Sequence, residues 1–199
     1  MYNVKKIVSC IILCALIFSL CACGKERGTG SKDKDVYEET IGSLEDDELF
    51  AIIDTNASLP VLLVTSQVFD DGTGKQAAMQ CDVYYLADKE VKKIGTIESM
   101  GTAYPISYDE TGIYTASGHA MQRYEVEQSG TMKLAEVIQE QFDENGTADY
   151  TMEKENETKT ISEEEYYDAF EKYNNAAVVS FAYGASDTAR STHGRFHLS

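Results

Sequence analysis

The hydrophobic and polar positions change their period several times along the chain, and each change marks a predicted element. Residues 7–20 form an uncharged apolar run, and residues 24–34 are polar and glycine-rich without apolar periodicity. Between residues 49 and 154 the apolar positions come in short runs rich in β-branched and aromatic side chains, which favours strands. Before and after this stretch, the apolar residues recur at the three- and four-residue intervals of a helix. We therefore predict a mainly β (α+β) fold, an antiparallel meander sheet with one helix near each end.

The predicted strands are short and are separated by turn-forming residues. Asp88-Lys89-Glu90 joins two of them at hairpin length, and Asn145-Gly146 is the strongest short hairpin signal in the chain. Pro60 opens a run, where its missing amide hydrogen is tolerated. The strands are predicted over residues 50–54, 61–69, 80–87, 91–98, 106–108, 112–116, 119–127, 134–143 and 147–154, and a final buried strand over 176–183.

Two segments have the spacing of amphipathic helices. Asp35, with Glu38 three residues later and apolar residues at helical intervals, predicts a helix over 36–48. Ser162 followed by three glutamates is a capping box that begins a second helix, and these acids suit the positive end of its dipole. The second helix has an apolar stripe typical of a core-facing side, formed by Tyr166, Ala169, Phe170 and Tyr173.

The N-terminus has the pattern of a secretory signal. Lys5 and Lys6 precede the apolar run, and Leu20-Cys21-Ala22-Cys23 ends it. These four residues resemble the lipobox of bacterial lipoprotein signals, in which the cysteine receives a diacylglyceryl thioether and becomes the new N-terminus. The resemblance implies cleavage of residues 1–22, lipidation of Cys23 and a chain held at the extracytoplasmic face of the cell membrane. Two acyl chains are enough for stable anchoring.

A transmembrane anchor is the competing interpretation of the same run. Residues 7–24 carry no charge over a length near the lower limit for spanning a bilayer of about 30 Å. Small and polar residues dilute the run, and no Lys/Arg cluster leads into a second apolar stretch. Leu20 stands three residues before Cys23 and Ala22 directly before it, as a lipobox requires, which favours lipidation.

The rest of the chain divides into three predicted parts. Residues 23–34 form the lipidated N-terminus and a flexible tether, of which residues 24–34 reach about 35 Å when extended. Residues 35–183 form a single globular β-rich domain, because the chain is long enough to bury one core. Residues 184–199 form a polar C-terminal tail.

Charge and cysteine content narrow the possible partners. The chain has 17 basic and 34 acidic side chains, a formal charge of −17. Such a chain repels phosphate backbones, which excludes nucleic acid as a partner. Of five cysteines, four lie in the signal and lipobox, so Cys81 is left alone and no intrachain disulfide forms. Its alternating surroundings predict a small buried hydrophobe rather than a nucleophile.

The middle of the chain resembles a family of uncharacterised surface lipoproteins from Gram-positive anaerobes. The similarity rests on Phe50-Ala51-Ile52-Ile53-Asp54, on Leu59-Pro60-Val61-Leu62-Leu63-Val64, on Val83-Tyr84-Tyr85 and on Lys92-Lys93-Ile94-Gly95. It extends over about residues 50–127. The loops of that family are similar to the calcium loops of integrin-type and VCBS-type β-repeats. The resemblance implies a β segment with a degenerate loop of this kind and implies no activity.

The candidate cation sites depart from known calcium patterns. A calcium site takes six to eight oxygen ligands. In the loop that begins at Asp54, only Asp54 and Asn56 supply the kind of side-chain oxygen that calcium prefers. Residues 70–74 and 143–146 lack the spacing of a calcium loop. All three segments are predicted to be turns. We predict no metal site and no cofactor.

The histidines offer the remaining catalytic candidates. His193 and His197 are four residues apart, but Gly194 and the polar tail argue against a metal-binding helix. His119 is the only histidine in the predicted domain. It is a conceivable general base, but no serine or cysteine elbow accompanies it. No catalytic residue is therefore assigned, and lipidation of Cys23 is the one predicted modification.

Two classes of function remain open from the sequence. The favoured class is a non-enzymatic binding or accessory module of the bacterial cell envelope, anchored through Cys23. Its tyrosine-rich sheet faces would offer a contact surface to an envelope protein partner. The alternative is a small hydrolase on the secreted side whose catalytic residues the sequence does not reveal.

Overall fold

A computed structural model describes residues 35–184. The predicted signal peptide, Cys23 with its tether, and the tail with His193 and His197 lie outside these residues. Within them the fold is mainly β, as predicted, and the strands pair antiparallel. None of the helices in this part of the chain is long and apolar enough to cross a membrane.

The elements follow one another with short connections. The first half contains α1 (Glu38–Gly42), β1 (Leu49–Ile53), β2 (Val61–Thr65), β3 (Phe69–Asp70), β4 (Gln76–Ala77), β5 (Gln80–Ala87) and β6 (Glu90–Glu98). The second half contains β7 (Ser107–Asp109), β8 (Gly112–Ala116), β9 (Ala120–Val126), β10 (Met132–Phe142), β11 (Ala148–Lys154), β12 (Glu157–Ile161), α2 (Glu163–Asn175), β13 (Ala177–Val178) and β14 (Ala182–Tyr183).

The strands form two sheets and a separate hairpin. The five-stranded sheet has the order β14-β1-β2-β5-β6, and the seven-stranded sheet has the order β12-β11-β10-β9-β8-β7-β13. From β7 to β12 the second sheet is therefore a meander in which each strand pairs with the next. The small hairpin pairs β3 with β4.

The main core lies between the two sheets. Leu63 on β2 and Val83 on β5 contribute from the five-stranded sheet, and Ile113 on β8 contributes from the seven-stranded sheet. All residues of β2 and β8 are buried, because these central strands are covered on both faces. Their near-continuous apolar sequences follow from this double burial.

Each outer sheet face is covered by a helical segment. Ahead of α1, Tyr37 packs against Leu62 and Val64 of the five-stranded sheet. On the opposite side, α2 buries Tyr166 and Tyr173 against the seven-stranded sheet. The layers are thus helix, sheet, sheet and helix, with three apolar clusters between them.

The first helix is much shorter than predicted, so the expectation of one helix near each end is not confirmed in that form. Helix α1 covers Glu38–Gly42 instead of 36–48, and its N-cap is Tyr37, which makes no side-chain capping bond. The Ser43 hydroxyl donates to the Thr40 carbonyl oxygen at 2.8 Å, and acidic residues crowd the following segment. Hydrogen bonding of this kind competes with helix propagation, and short helices are marginal.

The predicted strand over 176–183 is divided between the two sheets. Strand β13 pairs with β7 in the seven-stranded sheet, and β14 pairs with β1 in the five-stranded sheet. Val179 and Phe181 between them are buried in the main core. One straight strand cannot pair with two stacked sheets about 10 Å apart, so the segment crosses from one to the other.

Strand β12 was missed by the sequence analysis because its residues are polar. It pairs with β11 across a two-residue turn, Glu155-Asn156, in which both residues have positive φ. The predicted hairpin at Asp88-Lys89 has the same left-handed conformation at both residues. Turns of this kind match the twist of the strands that they connect.

Candidate functional site

Aromatic side chains gather on the outer face of the seven-stranded sheet, beside the start of α2. We call His119, Phe142, Tyr150, Tyr166 and Tyr167 the aromatic shelf. The Tyr166 ring centroid lies 4.9 Å from that of Tyr150 and 5.3 Å from that of Tyr167. The His119 and Phe142 rings meet edge to face at 5.6 Å. These distances are in the favourable range for aromatic pairs.

Strand register and a helix cap place these rings together. Glu140 on β10 pairs with Tyr150 on β11, and Phe142 lies two residues further along β10, so the three side chains share one face. The predicted capping box fixes the start of α2. The Ser162 hydroxyl accepts a bond from the Glu165 amide at 3.2 Å, and Glu165 accepts one from the Ser162 amide at 2.8 Å.

His119, the histidine singled out from the sequence, is held by Glu140. The distance from His119 Nδ1 to Glu140 Oε2 is 2.7 Å, and the Glu140 amide donates to the His119 carbonyl oxygen at 2.8 Å. The imidazole side chain is 64% exposed, whereas the carboxylate is 13% exposed. A largely buried carboxylate thus orients an accessible imidazole, which leaves the other ring nitrogen free for a hydrogen bond to a ligand or to water.

Glu140 was not predicted as the partner of His119. The two residues are 21 positions apart, on neighbouring strands. A bulge at Ala135 shifts the register between β9 and β10. A one-residue shift moves every following side chain to the other face. The predicted order of the strands therefore did not determine which residue lies opposite His119.

Negative charges surround the hydroxyl groups of the shelf. Burial raises the pKa of Tyr166 to about 12, and the nearby charge of Glu140 acts in the same direction. Loss of hydration raises the pKa of Tyr150, and the charges of Glu163 and Glu140 add to this effect. Both tyrosines are therefore neutral hydrogen-bonding groups at physiological pH, set in a negative potential that attracts cationic groups.

Among residues 35–184, no hydroxyl or thiol group forms a hydrogen bond with the His119 imidazole, whose partner is Glu140. The Ser117 hydroxyl is the nearest in sequence, and it accepts a bond from the His119 backbone amide at 3.4 Å instead of facing the ring. Cys81 is confirmed as a buried core residue, and burial raises the pKa of its thiol far above the usual range. A thiol in such surroundings is inert.

Two of the acidic loops considered as cation sites, residues 70–74 and 143–146, use their carboxylates to build turns. Asp70 Oδ1 accepts a bond from the Gly72 amide at 2.7 Å, and Asp71 Oδ1 accepts one from the Thr73 amide at 2.8 Å. Asp143 Oδ1 likewise accepts a bond from the Asn145 amide at 2.8 Å. Within residues 35–184 the structure has no group of three or more His, Cys, Asp or Glu side chains placed to hold a metal ion.

A second polar cluster lies under the C-terminal half of α2. Arg123 on β9 and Glu136 on β10 are both buried, with Arg123 Nη2 at 4.0 Å from Glu136 Oε2. Lys172 on α2 brings its Nζ to 3.5 Å from Glu136 Oε1. Arg123 also pairs with Glu125 and donates to the Thr111 carbonyl oxygen at 3.0 Å. These contacts connect α2 to the sheet and are structural.

Comparisons of the chain with protein-family models, with curated proteins and with solved structures find no match. The chemistry of the shelf and the N-terminal pattern are therefore the observations that bear on function.

Proposed function

We propose that this protein is a non-enzymatic binding module of the bacterial cell envelope, with the aromatic shelf as its contact surface. The observation that carries the proposal is the exposure of large rings on one side of the sheet. Phe142 is 55% exposed and lies against the accessible imidazole of His119, and Tyr167 is 54% exposed and packs against Tyr166. Aromatic residues grouped in this way are typical of protein contact surfaces.

The shelf is also well ordered before a partner binds. The ring of Tyr166 is fixed by contacts with its neighbours and is itself buried under α2. Preordered aromatic side chains lose little conformational entropy on binding, so more of the contact energy contributes to affinity. The Glu140 carboxylate and the neighbouring hydroxyl groups add directional polar contacts and a preference for a partner with basic side chains.

The membrane-anchoring part of the proposal rests on the lipobox pattern that ends at Cys23. A diacylglyceryl group at Cys23 would keep the module at the extracytoplasmic face of the membrane, within reach of other envelope proteins. Cys23→Ser should leave an unprocessed precursor that incorporates no labelled palmitate. Cys21→Ser is the matched control, because it changes a neighbouring thiol and should leave labelling intact. Label in the Cys23→Ser variant would refute the anchor.

The contact surface can be tested by photo-crosslinking on intact cells. A benzophenone amino acid is placed at position 167 on the shelf or, as a control, at position 183 on the other sheet. Tyr167 and Tyr183 are the same residue type and are both 54% exposed, so the two positions differ in location and not in accessibility. We expect one discrete adduct from position 167 that disappears when Phe142 is changed to Ala. Equal labelling from both positions would refute the shelf as a contact surface.

The geometry of His119 gives some support to the alternative, a small hydrolase. An imidazole oriented by Glu140 could activate water directly, without a protein nucleophile. Loss of a general base lowers the rate by about 100-fold or more. Esterase, peptidase or glycosidase turnover that falls by this factor in both His119→Ala and Glu140→Gln would favour the enzyme. We expect neither variant to abolish the cellular effect that deletion of the gene produces.

A further inference from the structure

The edge strands of the two sheets differ in how well they are protected against pairing with a further strand. Strands β13 and β14 are only two residues long. Strand β6 is longer, but its register with β5 shifts at a bulge that contains Ile94, and Lys92 and Lys93 directly precede that bulge. Short length, bulges and lysines are common means of protecting a sheet edge. Strand β12, by contrast, pairs over all five of its residues with β11 and without a shift.

The outer side of β12 is accessible. In the part of the chain that the structure describes, β11 is the only strand that pairs with it. Residues 157–160 are all exposed. Helix α2 begins directly after β12 and packs over β8, β10 and β11, which lie further inside the sheet. A further strand could therefore approach β12 without displacing the helix.

The turn before β12 determines which of its backbone groups point outwards. Lys154 and Glu157 lie opposite each other and close the two-residue turn, and residues in this position exchange both backbone hydrogen bonds. Bonded and non-bonded positions alternate along an antiparallel pair of strands. The N–H and C=O groups of Thr158 and Thr160 therefore point away from β11, towards the free edge.

The side chains of this edge are complementary to those of a second, antiparallel copy. Although the chain has a formal charge of −17, Glu157 and Lys159 alternate on one face of β12. When Thr158 of one copy lies opposite Thr158 of the other, Glu157 of each copy lies opposite Lys159 of the other. These are non-hydrogen-bonded pairs, in which side chains approach most closely. Opposite charges at such positions stabilise the pairing of two strands.

The neighbouring registers are less favourable. A two-fold axis at Lys159 would place the two lysines directly opposite each other, and like charges in this position are destabilising. An axis at Thr160 would require Thr158 to bond with the Ser162 backbone of the other copy. The Ser162 amide already donates to Glu165 Oε2 at 2.8 Å, within the capping box. Charge and hydrogen bonding thus favour the same register, with the axis at Thr158.

We propose that two copies of this chain pair antiparallel through β12, with the two-fold axis at Thr158, so that their seven-stranded sheets become one continuous sheet. The aromatic shelf takes no part in this contact. A five-residue edge buries less area than a standard protein interface, so the pairing needs a high local concentration of chains. Anchoring of the copies in one membrane through Cys23 supplies that concentration, and this part of the inference rests on the proposed function.

Thr158 and Thr160 are matched positions for a short thiol crosslinker, because both are exposed threonines on the same face of β12. In the proposed register the two Thr158 Cα atoms lie about 5.5 Å apart, whereas the two Thr160 Cα atoms lie about 14 Å apart. Dibromobimane joins only neighbouring thiols and becomes fluorescent when both of its ends have reacted. On intact cells that express the full chain, we expect a fluorescent dimer from Thr158→Cys and none from Thr160→Cys. The native chain is the blank for its own cysteines.

Charge reversal tests the register independently. Glu157→Lys, added to Thr158→Cys, should lower the yield of the dimer about tenfold, because two attractive pairs become repulsive. Further addition of Lys159→Glu should restore the yield. The proposal is overturned if Thr158→Cys gives no dimer above the blank, if Thr160→Cys gives an equal yield, or if charge reversal has no effect.

Labelled palmitate, followed in the same cells, separates this inference from the proposed anchor. Incorporation of label without a dimer contradicts the pairing through β12 and leaves the anchor at Cys23 intact. A dimer without label supports the pairing and contradicts the anchor.

Discussion

The two faces of the seven-stranded sheet are covered in different ways. The inner face packs against a second sheet and presents aliphatic side chains such as Ile113 and Val126. The outer face is covered by one 13-residue helix and carries tyrosines, the Arg123–Glu136 pair and the aromatic shelf. A sheet covers a whole face, whereas a helix covers a stripe. The outer face therefore has polar networks beside the helix and leaves the rings of Phe142 and Tyr167 exposed.

The largest expected effect comes from matched isoleucines on the two faces. Ile113 and Ile138 are both fully buried, the first on the inner face and the second under α2. Truncation to Ala should cost about 2–5 kcal/mol at each site. We expect the higher value for Ile113, because a helix can settle into the space left by Ile138 more easily than a sheet can. Urea unfolding measures the free energy of unfolding of both variants. A larger decrease for Ile138→Ala than for Ile113→Ala would contradict the expected difference between the two faces.

A smaller effect should follow from removing the charge under α2. Glu136→Gln keeps the shape of the side chain but weakens its contacts with Arg123 and Lys172, and should cost about 1–3 kcal/mol. Glu140→Gln is the matched control, because its partner His119 is largely exposed. That change should cost no more than about 1 kcal/mol. Equal losses in urea unfolding would show that the cluster under α2 is not a structural connection.

The capping box at Ser162 should contribute less to the free energy of unfolding than the Glu136 cluster does. Ser162→Ala should lower stability by about 1 kcal/mol, and Ser162→Gly by only a few tenths, since glycine exposes the first helix amides to water. Thermal unfolding gives both values. If the geometry of the shelf depends on the start of α2, Ser162→Ala should also lower the yield of the photo-crosslinked adduct from position 167. An unchanged yield would show that the shelf does not depend on the capping box.

The smallest expected effect at neutral pH comes from the buried tyrosines on the outer face, because they lose their protons only at high pH. Burial raises the pKa values of Tyr166 and Tyr173 to about 12, from the usual tyrosine value of 10.0. The folded state therefore holds these protons longer than the unfolded state. Their stabilising contribution is complete below pH 10 and is lost as pH rises towards 12. Tyr166→Phe should flatten the fall of stability in this range, and an unchanged slope would contradict the assignment.

The features that the sequence determined are local ones. The alternating runs predicted most of the strands, with ends shifted by one to a few residues, because a single period decides which side chains face the core. The capping box at Ser162 was confirmed, and so was the apolar stripe of α2, in which Tyr166, Ala169 and Tyr173 are buried and Phe170 is partly buried, since both features depend on local spacing. The burial of Cys81 was predicted by the same alternation.

Features that depend on residues far apart in the sequence were decided only by the tertiary structure. The helix over 36–48 shrank to Glu38–Gly42, and the segment 176–183 was divided between two sheets. Polar β12 became a strand by pairing with β11. The contact of His119 with Glu140 depends on a bulge at Ala135, which no local pattern announces. The shelf exists for the same reason: pairing register and layer packing bring together residues whose local sequences carry no common signal.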